Sequence, residues 1–155
     1  MVDQISTDLQ IESVSITIDP ELISSGLTLA IPANSMNIIL REILENSKKF
    51  HPARQPIVTI NLSKARYSPS LVIRAADNGV MLSSEQLAQV WTPYYQGEKY
   101  FTGESTGMGL GLAMVASTVW NAGGKCRMYN QDPGPGVVVE LIIPFETDEE
   151  QNEGL

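Results

Sequence analysis

Leu40-Arg41-Glu42-Ile43-Leu44-Glu45-Asn46-Ser47-Lys48-Lys49-Phe50 is the stretch on which the reading of this chain turns. Its apolar residues continue a helical period that starts upstream, so Met36, Ile39, Leu40, Ile43, Leu44 and Ser47 share one face. Glu42, Asn46 and Lys49 recur at i, i+4 and i+7 on another face. Asn34 or Ser35 is placed to cap the start of this helix, and His51-Pro52 closes it because the residue before proline avoids the helical region. A carboxylate, a neutral amide oxygen and an ammonium in one row can orient a proton acceptor, a Mg2+ ligand and a phosphate partner. The same row also describes an ordinary amphipathic helix with a solvated stripe.

Working outward, Val14, Ile16 and Ile18 alternate with Ser15 and Thr17, the period-two pattern of a strand with one buried face, ended by Asp19-Pro20. Residues 27–31 form a second extended piece stopped by Pro32. Downstream, 57–62 and 71–76 are apolar and β-branched and flank Arg66-Tyr67-Ser68-Pro69, which predicts a strand pair. Ser83 with Gln86 has the spacing of a capping box and opens a short helix through Val90. A helix over 112–120 ends at Gly123-Gly124, and the strands 125–130 and 137–143 are joined by Asp132-Pro133-Gly134-Pro135-Gly136. The sum is an α+β fold, a two-layer α/β sandwich with a mixed sheet of about five strands covered on one face by about three helices.

Composition narrows the function. The chain has 155 residues, ten Lys plus Arg against eighteen Asp plus Glu, and a formal net charge of -8. One cysteine, Cys126, and one histidine, His51, exclude a disulfide framework and a Cys/His zinc site. No apolar run approaches the ~20 residues of a membrane helix, and no basic segment followed by an apolar one opens the chain, so a cytoplasmic domain without membrane contact is expected. Net acidity argues against a nucleic-acid partner. Residues 146–155 hold five acids and no base and read as a disordered tail, leaving a domain over 1–145 with a net of -3. Arg41, Lys48, Lys49 and Arg54 lie along or just beyond the central helix, which makes room for a polyphosphate despite the global charge.

Two further segments carry chemistry. Asp77-Asn78-Gly79 ends an apolar strand, so Asp77 sits at the mouth of the sheet, where an acceptor-only carboxylate suits the amino group of adenine. The tripeptide also suits a plain tight turn. Thr106-Gly107-Met108-Gly109-Leu110-Gly111-Leu112 places three glycines at alternate positions before a helix, where bare backbone N–H groups can approach phosphate oxygens. It is not a P-loop, since no Gly-Lys-Ser/Thr follows. Between these segments lie Trp91-Thr92-Pro93-Tyr94-Tyr95-Gln96-Gly97 and a polar run over 98–105 suited to a lid.

Taken in order, these segments resemble the ATP-binding catalytic domain of bacterial two-component sensor histidine kinases, in the GHKL superfamily, over roughly residues 14–145. The helix of Asn46 and Lys49 is similar to the N box, Asp77-Asn78-Gly79 to the G1 box, Trp91-Thr92-Pro93-Tyr94-Tyr95 to the F box and Gly107-Met108-Gly109-Leu110-Gly111-Leu112 to the G2 box. The resemblance implies the Bergerat sandwich, with ATP and Mg2+ as cofactors. It implies Asn46 as the Mg2+ ligand, Lys49 on phosphate, Phe50 on the adenine, Asp77 with Gly79 at the base, and Thr106 to Leu112 around the phosphates. Glu42 stands where most sensor kinases have Asn, and would polarise the nucleophile or fix Mg2+ through water. Met81 replaces the second glycine of the G1 box, so its backbone must avoid the left-handed region or bear a cost of ~1 kcal/mol. Gln96 and Val137 also depart from the family pattern.

The implied activity is γ-phosphoryl transfer to a histidine on a separate dimerisation and phosphoacceptor domain, followed by a response regulator, with the catalytic domain itself monomeric. His51, directly before Pro52, reads as the helix end rather than the acceptor. The alternatives are a serine kinase of the anti-sigma-factor type and a degenerate nucleotide-binding docking module.

Overall fold

The computed structural model describes residues 1–24, 26–93, 95 and 110–147. Thr106, Gly107, Met108 and Gly109, the polar run 98–105, Tyr94, Gln96 and the tail from 148 onward lie outside the described residues. The elements in chain order are α1 (Val2–Asp8), β1 (Ser13–Ile18), α2 (Pro20–Ser24), β2 (Leu27–Leu29), α3 (Ala33–Phe50), β3 (Ile57–Lys64), β4 (Ser70–Asp77), α4 (Ser84–Gln89), α5 (Gly111–Asn121), β5 (Lys125–Asn130) and β6 (Val137–Thr147). Six strands form a mixed sheet in the order β1-β3-β4-β6-β2, with β5 also paired to β6. The β1–β3 pair is parallel and the others are antiparallel.

Alternation along the strands divides the sheet into a covered and an open face. Val58 and Ile60 of β3, Leu71, Ile73 and Ala75 of β4, and Val139, Leu141, Ile143 and Phe145 of β6 are buried with Ile39, Leu40, Ile43 and Leu44 of α3 and Val115 and Val119 of α5. Leu44 is wholly buried, which contributes roughly 1.5–3 kcal/mol by removal from water. The buried residues of α3 are Met36, Ile39, Leu40, Ile43, Leu44 and Ser47, the face its sequence period predicts. On the opposite sheet face Arg74 lies 2.7 Å from Glu140, and Arg127 lies 3.4 Å from it. These three residues are consecutive cross-strand neighbours, which is how a carboxylate only 5% exposed keeps two cationic partners.

Several expectations are corrected. β1 has no buried face: Ile16 and Ile18 point to the covered side opposite Ile60 and Leu62, but remain 42% and 44% exposed because β1 is the edge strand. Neither Asn34 nor Ser35 caps α3; Pro32 takes the cap position with extended backbone and no side-chain bond. The chain between β1 and β2 forms the short α2, started by Pro20 and by Asp19 Oδ1, which accepts from the Glu21 N–H at 3.0 Å. The last strand runs on to Thr147, pairing with Leu27, past its expected end at 143.

The helix α1 was not foreseen. It buries Ile5 and packs on α3, and Arg41 reaches back to Asp8 at 2.7 Å while Lys48 Nζ donates to the Leu9 carbonyl. Two of the four bases expected near phosphate are therefore committed to holding α1 against α3.

Candidate functional site

The site begins where the buried row of β4 ends. Leu71, Ile73 and Ala75 face the helices, and the same alternation turns Asp77 toward α3 at the edge of the core. There its carboxylate is held from three sides. Oδ1 accepts from the Gly79 N–H at 2.9 Å and the Val137 N–H at 3.3 Å, and Oδ2 accepts from the Ser47 hydroxyl at 3.1 Å. A carboxylate offers about four acceptor positions. Among the described residues two protein donors occupy Oδ1 and one, Ser47, occupies Oδ2, so an acceptor position remains on Oδ2.

The loop after Asp77 is pinned at several points. Asn78 Oδ1 accepts from the Ile57 N–H at 2.8 Å, and Asn130 exchanges two hydrogen bonds of 2.8 Å with the main chain of Leu82. Ser83 and Gln86 form the complete capping box of α4. Met81 is not among the described residues with positive φ, so its substitution for glycine carries no left-handed strain, and its sulfur instead lies over Gly134. Gly79 is buried, with Asp77 Oδ1 3.2 Å from where a β-carbon would stand.

Glu42, Asn46 and Lys49 are half-buried along the flank of α3 next to its apolar face. Lys49 Nζ lies 5.1 Å from the centre of the Phe50 ring, a cation–π distance. Glu42 meets the opposite wall. A β-carbon on Gly111 would stand 2.2 Å from Glu42 Oε2, so the first residue of α5 can be only glycine while this carboxylate keeps its place. Burial, and secondarily the charge of Glu45, pushes the Glu42 carboxyl above its ordinary range. Leu110 is the cap position of α5 with no side-chain cap hydrogen bond among the described residues, so the first N–H groups carry the favourable partial charge of a helix N-terminus. Leu112 follows, half-buried in the first turn.

The structure thus brings Glu42, Asn46, Lys49, Phe50, Asp77, Gly79, Leu110, Gly111 and Leu112 around one helix, with Asp77 and Gly111 on either side of it. Thr106, Gly107, Met108 and Gly109 lie outside the described residues. Sequence reasoning placed Ser47 only in the core row and missed its bond to Asp77; a hydroxyl on an otherwise apolar face was the available signal. It also missed Gln131, whose amide nitrogen donates to the Asp77 carbonyl and, at 3.3 Å, to the Pro135 carbonyl. Nothing local to Gln131 announces that contact.

Comparisons with known proteins bear on the family and the fold. Residues 33–147 match the family described as histidine kinase-, DNA gyrase B-, and HSP90-like ATPase. The non-motile and phage-resistance protein of Caulobacter vibrioides is 31% identical over 108 residues, 68% of this chain and 13% of that protein. The autoinducer 2 sensor kinase/phosphatase LuxQ of Vibrio cholerae is 30% identical over 129 residues, 81% of this chain and 15% of that protein. Among solved structures, a mycobacterial sensor histidine kinase, MprB, superposes with a TM-score of 0.73 over 94% of this chain and 90% of that one, at 17% identity. The chain belongs to the histidine kinase-, DNA gyrase B- and HSP90-like ATPase family. It spans about one-seventh of the length of the two curated relatives, and its sheet and helices are those of a histidine kinase catalytic domain.

Proposed function

We propose that this chain binds ATP with Mg2+ and transfers the γ-phosphoryl group to a histidine on a separate dimerisation and phosphoacceptor domain, from which a response regulator is charged. The observation that carries the reading is the Asp77 carboxylate, with one open acceptor position on the α3 side of the sheet and three protein donors fixing the rest. That position suits the adenine amino group and repels the carbonyl that guanine carries there. Lys49 and the N–H groups at the start of α5 would take phosphate. Among the described residues no three His, Cys, Asp or Glu side chains gather as a metal site. A single amide oxygen, that of Asn46, fits an ion that keeps most of its waters and takes its remaining ligands from phosphates, as Mg2+ does. Glu42, which faces Gly111 at the start of α5, would assist the incoming nucleophile.

Calorimetry with ATP and Mg2+ tests the reading on this chain. Asp77→Asn and Asn46→Asp are expected to cut ATP affinity at least tenfold with the fold intact, a loss of the order expected for one hydrogen bond to a charged group. Unchanged affinity in both rejects the site. Labelled ATP with a histidine-bearing helical acceptor should give an acid-labile phosphoprotein; an acid-stable one would point to a hydroxyl acceptor.

A further inference from the structure

We propose that Gln131 is a positioning residue for purine recognition, holding the end of β4 so that the Asp77 carboxylate keeps its one open acceptor position in line with the base. The inference rests on the nucleotide reading above.

Gln131 is the first residue after β5, and its own N–H donates to the Gly136 carbonyl at 2.9 Å, which closes the 131–136 loop. Its side chain then turns back across that loop. The two groups its amide meets, the carbonyls of Asp77 and Pro135, are both acceptors, so the amide nitrogen must face them and spends both protons there. Asp77 has paired in register with Val58, but no strand partner opposite it continues the β4–β6 ladder past Ala76 and Val138. Its carbonyl is therefore satisfied by Gln131. The same carbonyl rests on Gly136, where a β-carbon would stand 1.8 Å from it.

The consequence reaches the carboxylate. Val137, the residue after Gly136, donates its N–H to Asp77 Oδ1, so the hairpin holds Asp77 at main chain and side chain together. If the Gln131 amide is lost, the hairpin and the end of β4 are free to part, Val137 releases Oδ1, and the carboxylate can rotate about its remaining bonds to Gly79 and Ser47. A carboxylate repels a carbonyl in any orientation, but one that rotates no longer meets the amino group in line. Loss of Gln131 should therefore weaken ATP specifically, not all nucleotides alike.

The test uses the 155-residue chain with Mg-ATP and Mg-GTP in calorimetry and amide hydrogen exchange at Gly79 and Val137. Gln131→Met keeps the length and removes both donors; Gln131→Lys restores a donor of similar reach. The Met variant is expected to bind ATP about tenfold more weakly with GTP affinity unchanged, and to exchange the Val137 amide faster. The Lys variant is expected to stay near the native ATP-to-GTP ratio. Gln131→Leu, which also lacks a donor, replaces the Met variant if that chain does not fold, with the same expectation. A native ratio in the donor-less variant overturns the proposal, as does equal loss of both nucleotides, or a Lys variant as defective as Met. Absence of ATP binding by the native chain removes the nucleotide reading, and this inference with it.

Discussion

Gly136→Ala is the substitution on which the site's architecture can be tested hardest. Gly136 is buried, has φ of +95°, and lies against the last residue of β4. A β-carbon built there stands 1.8 Å from the Asp77 carbonyl oxygen, 2.6 Å from its carbon and 2.9 Å from Oδ1. The two nearest are main-chain atoms of a strand end that cannot swing aside as a flexible side chain would, and Oδ1 is itself held by Gly79 and Val137. Carbon and oxygen tolerate about 3.3 Å, so the hairpin and β4 must separate by roughly 1.5 Å. That breaks the bonds from Gln131 to the Asp77 carbonyl and from Val137 to Oδ1. Two hydrogen bonds at about 0.5–1.5 kcal/mol each, plus about 1–2 kcal/mol for alanine in the left-handed region, give roughly 2–5 kcal/mol. Gly123→Ala is the internal control. Its φ is +81°, but the nearest atom to an added β-carbon is Pro144 Cγ at 3.8 Å, so only the backbone term of about 1–2 kcal/mol remains. Urea unfolding of both variants, with the slope checked for constancy, reads the difference. If the two variants lose the same stability, the close approach of the hairpin to Asp77 is wrong.

The remaining predictions concern charge and the thiol. Because the Glu42 carboxyl is raised in the folded chain, its contribution to stability is fully present below its ordinary value of 4.5 and is lost as pH rises through the raised value. Glu42→Gln should therefore be more stable than the native chain at neutral pH, with the gap closing as pH falls through the raised value toward 4.5 in paired unfolding curves; a pH-independent gap would refute the burial argument. Burial pushes the Cys126 thiol up to about 11, so alkylation at neutral pH should be slow in the folded chain and fast in urea. Arg74→Ala leaves the buried Glu140 with Arg127 alone, and thermal or urea unfolding should show a loss of about 1–3 kcal/mol. Equal stability would mean that Arg127 moves in to compensate.

The sequence by itself determined the helix α3, its buried row and the polar row beside it, because a helical period is a local property that neighbouring residues carry together. It also placed Asp77 at a strand end and Gly111 at the start of a helix, since alternation and a missing side chain can be read without partners. It misjudged β1, whose alternation is genuine, because an edge position is decided by what fails to cover a strand. It overlooked α1, seven residues whose helicity rests on packing against α3. Arg41 and Lys48 looked available for phosphate until the fold put Asp8 and the Leu9 carbonyl within their reach. Most of the candidate site's precision is of that second kind. Ser47 is 30 residues from Asp77 in the chain and Gln131 is 54 away. Only tertiary structure brings such groups within hydrogen-bond distance, because a hydrogen bond depends on position in space and leaves no periodic trace in the order of residues.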